Sequence, residues 1–422
     1  MGEIRIIGLG QGGGPTPVIN ESLAGALYEA KLHKLIVYGF RNGLEGILHA
    51  DVIGNIIDIT SWEPDDVRTG PGAKLDTTRL KLRRVKHEER IEKVRENRAR
   101  LNIDSFAYFG GEDSADQIET LGFGVHGSKT IDNNLCMSHH TPGYGSACLF
   151  NVVAVKNLTQ DVGSYRMRGR MNEGDESYLM APVTVYQTEG RDTGWLALGA
   201  GLAKVDPGGQ INPKMPPDII WPREIPFDAE VYLSTLSNVL QRKGKAFVII
   251  GEELVDKNGI PLAELYGNDP LDQHGHAEHA RVDSFNYAAH LARLAKSLRV
   301  SGVSIIKETP LVPKHIQRSY TKSNIDADEA FEVGRETVRA ILDCNEMVSV
   351  VLQKIDDKIT VVRVPIKEVA GKNRKVPLEY IDGIHGPTQK FADEFLYLIG
   401  GAQAIPHYPK LDYGKIITLN PR

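Results

Sequence analysis

The sequence IIGLGQGGG at residues 6–14 joins an apolar run directly to a glycine-rich turn. Residues 4–9 predict a buried strand, and the chain after the turn predicts a helix over residues 21–33. Glycine lets backbone N–H groups approach an anion closely, and the following helix directs its positive end to the same place. The stretch therefore predicts either an anion-binding turn or a plain strand-to-helix connection.

The alternation of short β-branched runs and amphipathic stretches continues along most of the chain. Further strands are predicted at residues 35–40, 106–110, 183–187, 246–251 and 303–306. This order is typical of α/β layers with mainly parallel sheets. The tail differs, because residues 348–355 and 360–364 flank a polar turn and predict a hairpin, followed by a helix at residues 391–398.

Length and composition limit the class of protein. The chain has 422 residues, of which 41% are hydrophobic and 25% charged, so two or three domains with packed cores are expected. The net charge of −5 is too weak to indicate a nucleic acid or an anionic membrane as partner. The three cysteines lack metal-ligand spacing, and the chain shows neither a signal-peptide pattern nor a membrane-length apolar run. These features predict a soluble, cytoplasmic protein.

The glycines of the first turn formally match the dinucleotide-binding fingerprint through Gly8, Gly10 and Gly13. That fingerprint also requires an acidic residue about 20 residues later. The end of the second predicted strand has no carboxylate and is followed by Arg41, and no P-loop motif occurs in the chain. An anion other than a dinucleotide is therefore the expected ligand.

Four further segments concentrate chemically active side chains. They read GGEDS at residues 110–114, KTIDNN at residues 129–134, EGRDTGW at residues 189–195 and HIQRS at residues 315–319. A cation, a hydroxyl and a carboxylate close together suit phosphoryl transfer, and an arginine offers a planar donor fork to a phosphate. Helix capping, a polar turn or a solvated arginine remains an alternative for each segment taken alone.

The order of these segments resembles that in phosphofructokinases. GGGPTPVIN, GPGAKLDTTRLKL, GGEDS, KTIDNN, PGYGSA, EGRDTGW, GEEL and HIQRS follow one another over residues 10–348. The longer, pyrophosphate-dependent branch of that family is the most similar. The resemblance implies two three-layer α/β domains with mainly parallel sheets and an active site in the cleft between them.

The resemblance also implies a role for each matching residue. Asp132 should be the general base, Lys129 should neutralise the leaving phosphate, and Arg191 should stabilise the transferring group. The implied donor-binding residues are Gly13, Gly14, Lys74, Arg79, Lys81, Gly111, Asp113 and Ser114. The implied acceptor-binding residues are Thr130, Asn134, Glu189, Gly190, Glu252, His315 and Arg318, and Glu112 is the implied ligand of Mg²⁺.

Some positions depart from the pattern of the family. Asn134 stands where a second carboxylate is expected, Glu112 where Asp or Asn is more frequent, and Glu189 where Met is usual. Thr309 lies where a basic residue of the sugar-phosphate clamp is expected. The nearby candidates for a substitute are Lys307, Lys314 and the basic run at residues 166–170.

The expected reaction is reversible, Mg²⁺-dependent transfer of phosphate from pyrophosphate to fructose 6-phosphate, giving fructose 1,6-bisphosphate and phosphate. Asp113 and Lys129 stand where ATP users have glycine, which indicates pyrophosphate as the donor. The open alternatives are the use of ATP, another sugar phosphate as acceptor, and a non-catalytic subunit that senses phosphosugars.

The same resemblance implies how the chain is divided. A donor-binding domain is expected at residues 1–140 with a return at about residues 319–350, and a sugar-phosphate domain at residues 141–318. Residues 351–422 are expected to form a C-terminal hairpin and helix extension. The expected assembly is a homodimer or homotetramer.

Overall fold

The structure of the protein, a computed structural model, describes residues 5–82, 87–164, 167–169, 178–266, 286–298, 303–319 and 321–408. The strands are β1 (Ile6–Gln11), β2 (Ile36–Phe40), β3 (Ile56–Asp58), β4 (Ser105–Gly110), β5 (Val125–Ser128), β6 (Met167–Gly169), β7 (Tyr178–Gln187), β8 (Ile219–Trp221), β9 (Ala246–Ile250), β10 (Val303–Leu311), β11 (Val348–Ile355) and β12 (Lys358–Pro365). The last part of the predicted extension, residues 409–422, lies outside the described residues.

Helices lie between most of these strands. The α-helices are α1 (Ile19–Leu32), α2 (Leu44–Leu48), α3 (Pro64–Val67), α4 (Glu88–Arg100), α5 (Glu112–Leu121), α6 (Tyr144–Gly163), α7 (Trp195–Gly201), α8 (Ala229–Lys243), α9 (Leu262–Tyr266), α10 (Tyr287–Lys296), α11 (Asn324–Leu342) and α12 (Gln389–Phe395). Short 3-10 helices are found at Leu202–Lys204, Lys314–Arg318, Ile366–Glu368, Leu378–Tyr380, Leu396–Ile399 and Ala402–Ala404. Among the described residues, no helix combines the length and the apolar character that crossing a bilayer requires.

The strands predicted from apolar runs are all confirmed, with ends that shift by a few residues. The helix predicted at residues 391–398 is present as α12 and the 3-10 turn that follows it. Four strands were not predicted, namely β3, β5, β6 and β8. β5 has the sequence VHGS, in which His and Gly hide the apolar pattern, and β3, β6 and β8 have only three residues each.

The first sheet has the strand order β12-β11-β5-β4-β1-β2-β3. Its central strands are parallel, and the edge strands β3 and β12 run antiparallel to their neighbours. The predicted hairpin is confirmed, because β11 pairs with β12 in antiparallel register. β11 also pairs with β5, so the hairpin completes the sheet that begins with β1. The exact domain boundaries remain predictions.

The second sheet has the strand order β10-β7-β9-β8 with parallel pairing, and β6 lies antiparallel to the start of β7. Alternate residues of a strand point to opposite faces. In β9, Phe247 and Ile249 therefore enter a core with α6, α7 and α12, whereas Val248 and Ile250 enter a core with α8 and α10. Helices on both faces of two mainly parallel sheets confirm the predicted fold class of two α/β domains.

Two glycines set the separation of α1 and α11, which lie together on the first sheet. A Cβ on Gly25 would lie 1.9 Å from the carbonyl oxygen of Phe331, and a Cβ on Gly334 would lie 1.9 Å from that of Ser22. Only glycine therefore allows the two backbones to approach this closely. α1 begins after the glycine-rich turn and α11 begins after HIQRS, so this contact also brings two predicted site segments together.

Replacing Gly25 with Ala should lower the free energy of unfolding by about 1–3 kcal/mol, because the added methyl group must push two helix backbones apart. Denaturant unfolding followed by circular dichroism measures this loss. Gly208→Ala is the matched control, since that glycine lies in an exposed turn where the new Cβ meets only the Asp206 side-chain oxygen at 3.3 Å. The control should change stability by no more than about 0.5 kcal/mol. Equal losses in both variants would contradict the role of Gly25.

Candidate active site

The predicted site segments meet in one cleft to which both sheets contribute. They follow β1, β4 and β5 of the first sheet and β7, β9 and β10 of the second, so the carboxyl ends of parallel strands face a common space. The cleft has a volume of about 440 Å³. The predicted residues that line it are Gly13, Gly14, Arg79, Lys81, Gly111, Glu112, Asp113, Ser114, Lys129, Thr130, Asp132, Asn134, Glu189, Arg191, Glu252, His315 and Arg318.

Two predicted site residues do not line the cleft. Lys74 is exposed, and its backbone N–H donates to the side-chain oxygen of Asn20 at 3.1 Å. The geometry therefore gives no support to Lys74 as a donor-binding residue. Gly190 lies beneath the surface of the cleft, where its N–H donates to a carboxylate oxygen of Glu252 at 3.0 Å. Gly190 thus contributes through its backbone.

The cleft also contains residues that the sequence analysis did not assign, among them Thr16, Thr78, Gln117 and Asp192. Thr16, Thr78 and Asp192 lie inside the quoted motifs, so position next to a predicted residue was the available signal. Gln117 lies outside these motifs and reaches the cleft from α5. Of the candidate substitutes for the sugar-phosphate clamp, Lys314 lines the cleft. The side chains of Lys307 and of residues 166–170 lie outside the description.

Lys129 connects the loop after β5 to the glycine-rich turn after β1. Its side-chain ammonium group donates to the carbonyl oxygens of Gly12 at 2.9 Å and Gly14 at 2.7 Å. The residue is only 2% exposed. Burial, together with the charge of Arg318, lowers the pKa of Lys129 to about 7. A bound anion beside this group would favour its charged form, so the turn is suited to an anionic ligand.

Lys81 and Asp113 form an ion pair in the cleft, beside the glycine-rich turn. Their side chains are 2.8 Å apart, and the Asp113 side chain is 58% exposed. Asp113 belongs to the first turn of α5, and the same turn places the neighbouring Glu112 in the cleft. Burial and the charges of Asp116 and Asp113 raise the pKa of Glu112 to about 7. Two carboxylates and one ammonium group therefore border the space next to the turn.

Asp132 follows Lys129 by three residues in the KTIDNN loop. Its backbone N–H donates to the Thr130 hydroxyl at 3.1 Å, and its carbonyl oxygen accepts from the Thr193 hydroxyl at 3.1 Å. Burial, followed by the charges of Glu252 and Asp192, raises the pKa of the Asp132 carboxyl to about 6. A carboxylate with a pKa near neutrality is suited to accept a proton during catalysis.

Arg318 lies between the two ends of the cleft. Its guanidinium group approaches the Glu189 carboxylate, with a closest distance of 3.8 Å from Nε, and it contacts the side chain of His315. A Cβ on Gly14 would lie 2.4 Å from Nη1 of Arg318, so the same group also packs against the glycine-rich turn. Arg318 can therefore contact a ligand that lies against the glycine-rich turn and a ligand that lies beside Glu189.

Several polar atoms of the cleft are buried and have no hydrogen-bond partner among the described residues. They are Thr16 Oγ1, Asn134 Oδ1, Arg191 Nε and Arg318 Nε. Buried polar groups in folded proteins almost always have partners. Two guanidinium donors, a hydroxyl and an amide oxygen left unpaired in one cleft indicate a polar, anionic ligand that would complete these bonds.

The fold and this cleft define a class of protein, namely α/β proteins that bind phosphate-bearing substrates between two domains. Residues 6–341 match the family profile described as Phosphofructokinase. The chain belongs to the phosphofructokinase family.

Individual relatives narrow the comparison within that family. The chain is 30% identical over 413 residues to pyrophosphate--fructose 6-phosphate 1-phosphotransferase of Xanthomonas campestris pv. campestris, an alignment that covers 93% of this chain and 90% of the relative. It is 28% identical to the protein of the same name from Rhodospirillum rubrum, with 88% of each chain covered.

Solved structures show the same fold. Pyrophosphate-dependent phosphofructokinase from Marinobacter aquaeolei superimposes with a TM-score of 0.75 at 24% identity, covering 99% of both chains. The pyrophosphate-dependent phosphofructokinase from Nitrosospira multiformis gives a TM-score of 0.74 at 23% identity, covering 97% of this chain and 95% of that chain.

Replacing Asp132 with Asn should lower the turnover number on the order of 10²–10⁴-fold, because an amide does not accept the proton that a carboxylate would take. The Michaelis constants should change far less, since the shape of the side chain is kept. Steady-state kinetics of purified protein measures both quantities. A variant with near-complete turnover would contradict the assignment of Asp132 as general base.

The pH profile gives a second readout of the same assignment. In the unmodified protein, kcat/KM should fall below about pH 6, where Asp132 becomes protonated. Asp192→Asn removes a like charge that raises the pKa of Asp132, so this acidic limb should move to lower pH. Substrate phosphates titrate in the same range, but their limb would stay in place. A limb that does not move in Asp192→Asn would therefore exclude Asp132 as its source.

Proposed function

We propose that the protein transfers a phosphoryl group from pyrophosphate to the 1-hydroxyl of fructose 6-phosphate, giving fructose 1,6-bisphosphate and phosphate, and catalyses the reverse reaction. The observation that carries this proposal is the placement of two residues of one loop. Lys129 is bonded to the glycine-rich turn, whereas Asp132 lies among the charges of Glu252, Arg191 and Arg318. The names of the relatives support the choice of substrates.

The reaction needs a base, charge neutralisation and alignment. The Asp132 carboxylate accepts the proton of the sugar hydroxyl. At the same time, the hydroxyl oxygen forms a bond to the phosphorus atom of pyrophosphate that is transferred. The bond from that phosphorus to the bridging oxygen breaks, and phosphate leaves with the electron pair. Lys129 neutralises the leaving phosphate, and Arg191 stabilises the transferring group. In the reverse direction, Asp132 returns the proton to the sugar oxygen.

The side chains that border the glycine-rich turn favour pyrophosphate over ATP as the phosphoryl donor. Pyrophosphate ends at its second phosphate, whereas ATP would extend its α-phosphate and nucleoside beyond it. In the resembling family, Asp113 and Lys129 stand where ATP users have glycine. Here Asp113 carries a carboxylate that pairs with Lys81 at 2.8 Å, so an entering α-phosphate would meet both bulk and like charge.

A different sugar phosphate is the second candidate for the acceptor. Glu189 places a carboxylate 3.8 Å from Arg318, which the resemblance assigns to the phosphate clamp of the acceptor. Burial raises the pKa of Glu189, and its carboxyl oxygens can accept a hydrogen bond from a sugar hydroxyl. A comparison of kcat/KM for several sugar phosphates with pyrophosphate as donor distinguishes the candidates.

Glu112 and Asn134 fit a magnesium ion. Their side chains are adjacent, with Nδ2 of Asn134 3.5 Å from Oε2 of Glu112, and the Asn134 side-chain oxygen has no partner among the described residues. Mg²⁺ commonly takes one or two protein oxygens and completes its shell with water and phosphate oxygens. The part of the chain that the structure describes holds no group of three acidic, histidine or cysteine residues that could bind a metal alone. When bound, Mg²⁺ would neutralise phosphate charge.

The cytoplasmic location and the homodimer or homotetramer remain predictions.

We expect activity with pyrophosphate and little or none with ATP. Asp113→Gly should open some activity with ATP, because the carboxylate next to the expected α-phosphate is removed. Lys129→Gly should mainly depress the reaction with pyrophosphate, because the buried cation at the turn is lost. Parallel assays of both donors at equal concentration, with fructose 6-phosphate as acceptor, measure this preference. Equal turnover of ATP and pyrophosphate by the unmodified protein would refute it.

Activity should vanish when a chelator removes Mg²⁺ and return when Mg²⁺ is added in excess. Asn134→Asp should keep or increase the affinity for Mg²⁺, because it adds a carboxylate beside Glu112. Titration of activity with Mg²⁺ gives the half-saturating concentration for both proteins. Complete activity in excess chelator would reject the magnesium proposal.

A further inference from the structure

A short stretch of the C-terminal segment, from Asn373 to Val376, lies between two loops of the cleft. Asn373 forms a backbone bridge with Leu135, directly after the KTIDNN loop. The N–H of Val376 donates to the Glu224 carboxylate at 3.0 Å, which also accepts the N–H of Gly194 from the EGRDTGW loop at 3.0 Å. The stretch therefore contacts both loops that carry the proposed catalytic residues.

Arg374 makes most of the contacts in this stretch. Its guanidinium group donates to the carbonyl oxygens of Asn133 at 2.9 Å and His139 at 2.7 Å, and also to that of Ser138. Its backbone N–H donates to the carbonyl oxygen of Asn134 at 2.7 Å. One residue outside the loop thus binds four carbonyl groups within and just after it.

These hydrogen bonds hold the backbone carbonyl groups next to Asp132 in place. The carbonyl oxygen of Asp132 is held by Thr193, and those of the next two residues are held by Arg374. Asn133 has a φ of 54°, in the left-handed region that asparagine adopts more readily than most other non-glycine residues. The side-chain amide of Asn133 has no hydrogen-bond partner among the described residues. Arg374 therefore supplies much of what holds this turn in place.

The same residue also fixes the start of α7. The Arg374 guanidinium lies over the Trp195 ring, 4.4 Å from its centroid, and the indole N–H of Trp195 donates to the Arg374 carbonyl oxygen at 3.2 Å. Trp195 follows Arg191 by four residues in the EGRDTGW loop. All of these contacts are to backbone carbonyls and an indole ring, so Arg374 acts on the geometry of the two loops.

We propose that Arg374 is a positioning residue for phosphoryl transfer, which holds the backbone of residues 132–134 so that the Asp132 carboxylate is aligned with the acceptor hydroxyl. This proposal rests on the proposed function, because it assigns Asp132 the role of general base. Arg374 lies beyond the stretch that matches the family profile. The C-terminal segment thus takes part in the active site without touching the substrate.

Arg374→Met removes every guanidinium donor and keeps an unbranched chain that can cover Trp195. The turnover number should fall roughly 100-fold, the effect expected of a displacement of about 1 Å at a reacting group. The Michaelis constants of both substrates should change by less than about threefold, since no substrate contact is lost. Arg374→Lys keeps the charge with fewer donors and should lose less activity. It also keeps the test decisive if the methionine variant does not fold.

Arg363→Met is the matched control. Arg363 also belongs to the C-terminal segment, is about one-fifth exposed, and forms ion pairs with Glu336 and Asp343 at 2.7 and 2.8 Å. It lies on β12, at the edge of the first sheet and outside the lining of the cleft. Its replacement should cost some stability and leave the turnover number unchanged. Equal losses of turnover in the Arg363 and Arg374 variants would indicate a general structural effect and overturn the proposal.

Hydrogen–deuterium exchange read by mass spectrometry tests the positioning without any substrate. Peptides that cover residues 129–139 should exchange faster in Arg374→Met than in the unmodified protein and in Arg363→Met. If the unmodified protein fails to turn over pyrophosphate and fructose 6-phosphate, the proposed function fails, whereas faster exchange still supports the positioning role. Unchanged turnover or unchanged exchange of this loop in folded Arg374→Met would overturn the inference.

Discussion

The ammonium group of Lys129, buried against the carbonyl oxygens of Gly12 and Gly14, joins the loop after β5 to the turn after β1. Carbonyl oxygens carry only partial charge, so they offset little of the free energy that burying a full positive charge costs. The lowered pKa of Lys129 expresses this imbalance. A bound anion would therefore stabilise the charged form of Lys129 in the folded protein. The other residues of the cleft lie around this group.

The carboxyl groups of the cleft show the opposite imbalance. Burial raises the pKa of both Asp132 and Glu112, because each charge lies near other carboxylates and away from water. Perturbed groups of both signs in one cleft are typical of functional sites. Arg191 and Arg318 each have an Nε donor without a hydrogen-bond partner in the part of the chain that the structure describes. An anionic substrate bound with its counter-ion would pair these buried charges and donors. The cleft by itself is therefore locally unfavourable for folding, and binding of the substrate would stabilise it.

The C-terminal segment unites the two sheets. Its hairpin extends the first sheet through the pairing of β11 with β5, whereas Phe391 and Phe395 of α12 enter the core against the second sheet. Between these elements, Arg374 and its neighbours pass under the cleft and bind both loops. A segment that packs on both sheets and binds both loops therefore joins the two sides of the cleft.

The sequence by itself determined the α/β class, the long strands and about two thirds of the residues that line the cleft, because apolar periodicity and turn chemistry are local and the motifs keep their order. The strand β5 was not predicted, because its polar His126 is buried in the sheet and has its hydrogen-bond partner, Ser349, more than 200 positions away in the sequence. Lys74 was predicted from its motif and does not line the cleft, because a basic residue within a motif carries no sign of where its side chain points. Only the tertiary structure decided that Arg318 reaches both ends of the cleft and that Arg374 supports the catalytic loop. Contacts of this kind join residues far apart in the chain, and no local pattern encodes which distant carbonyl groups an arginine will meet once the sheets have packed.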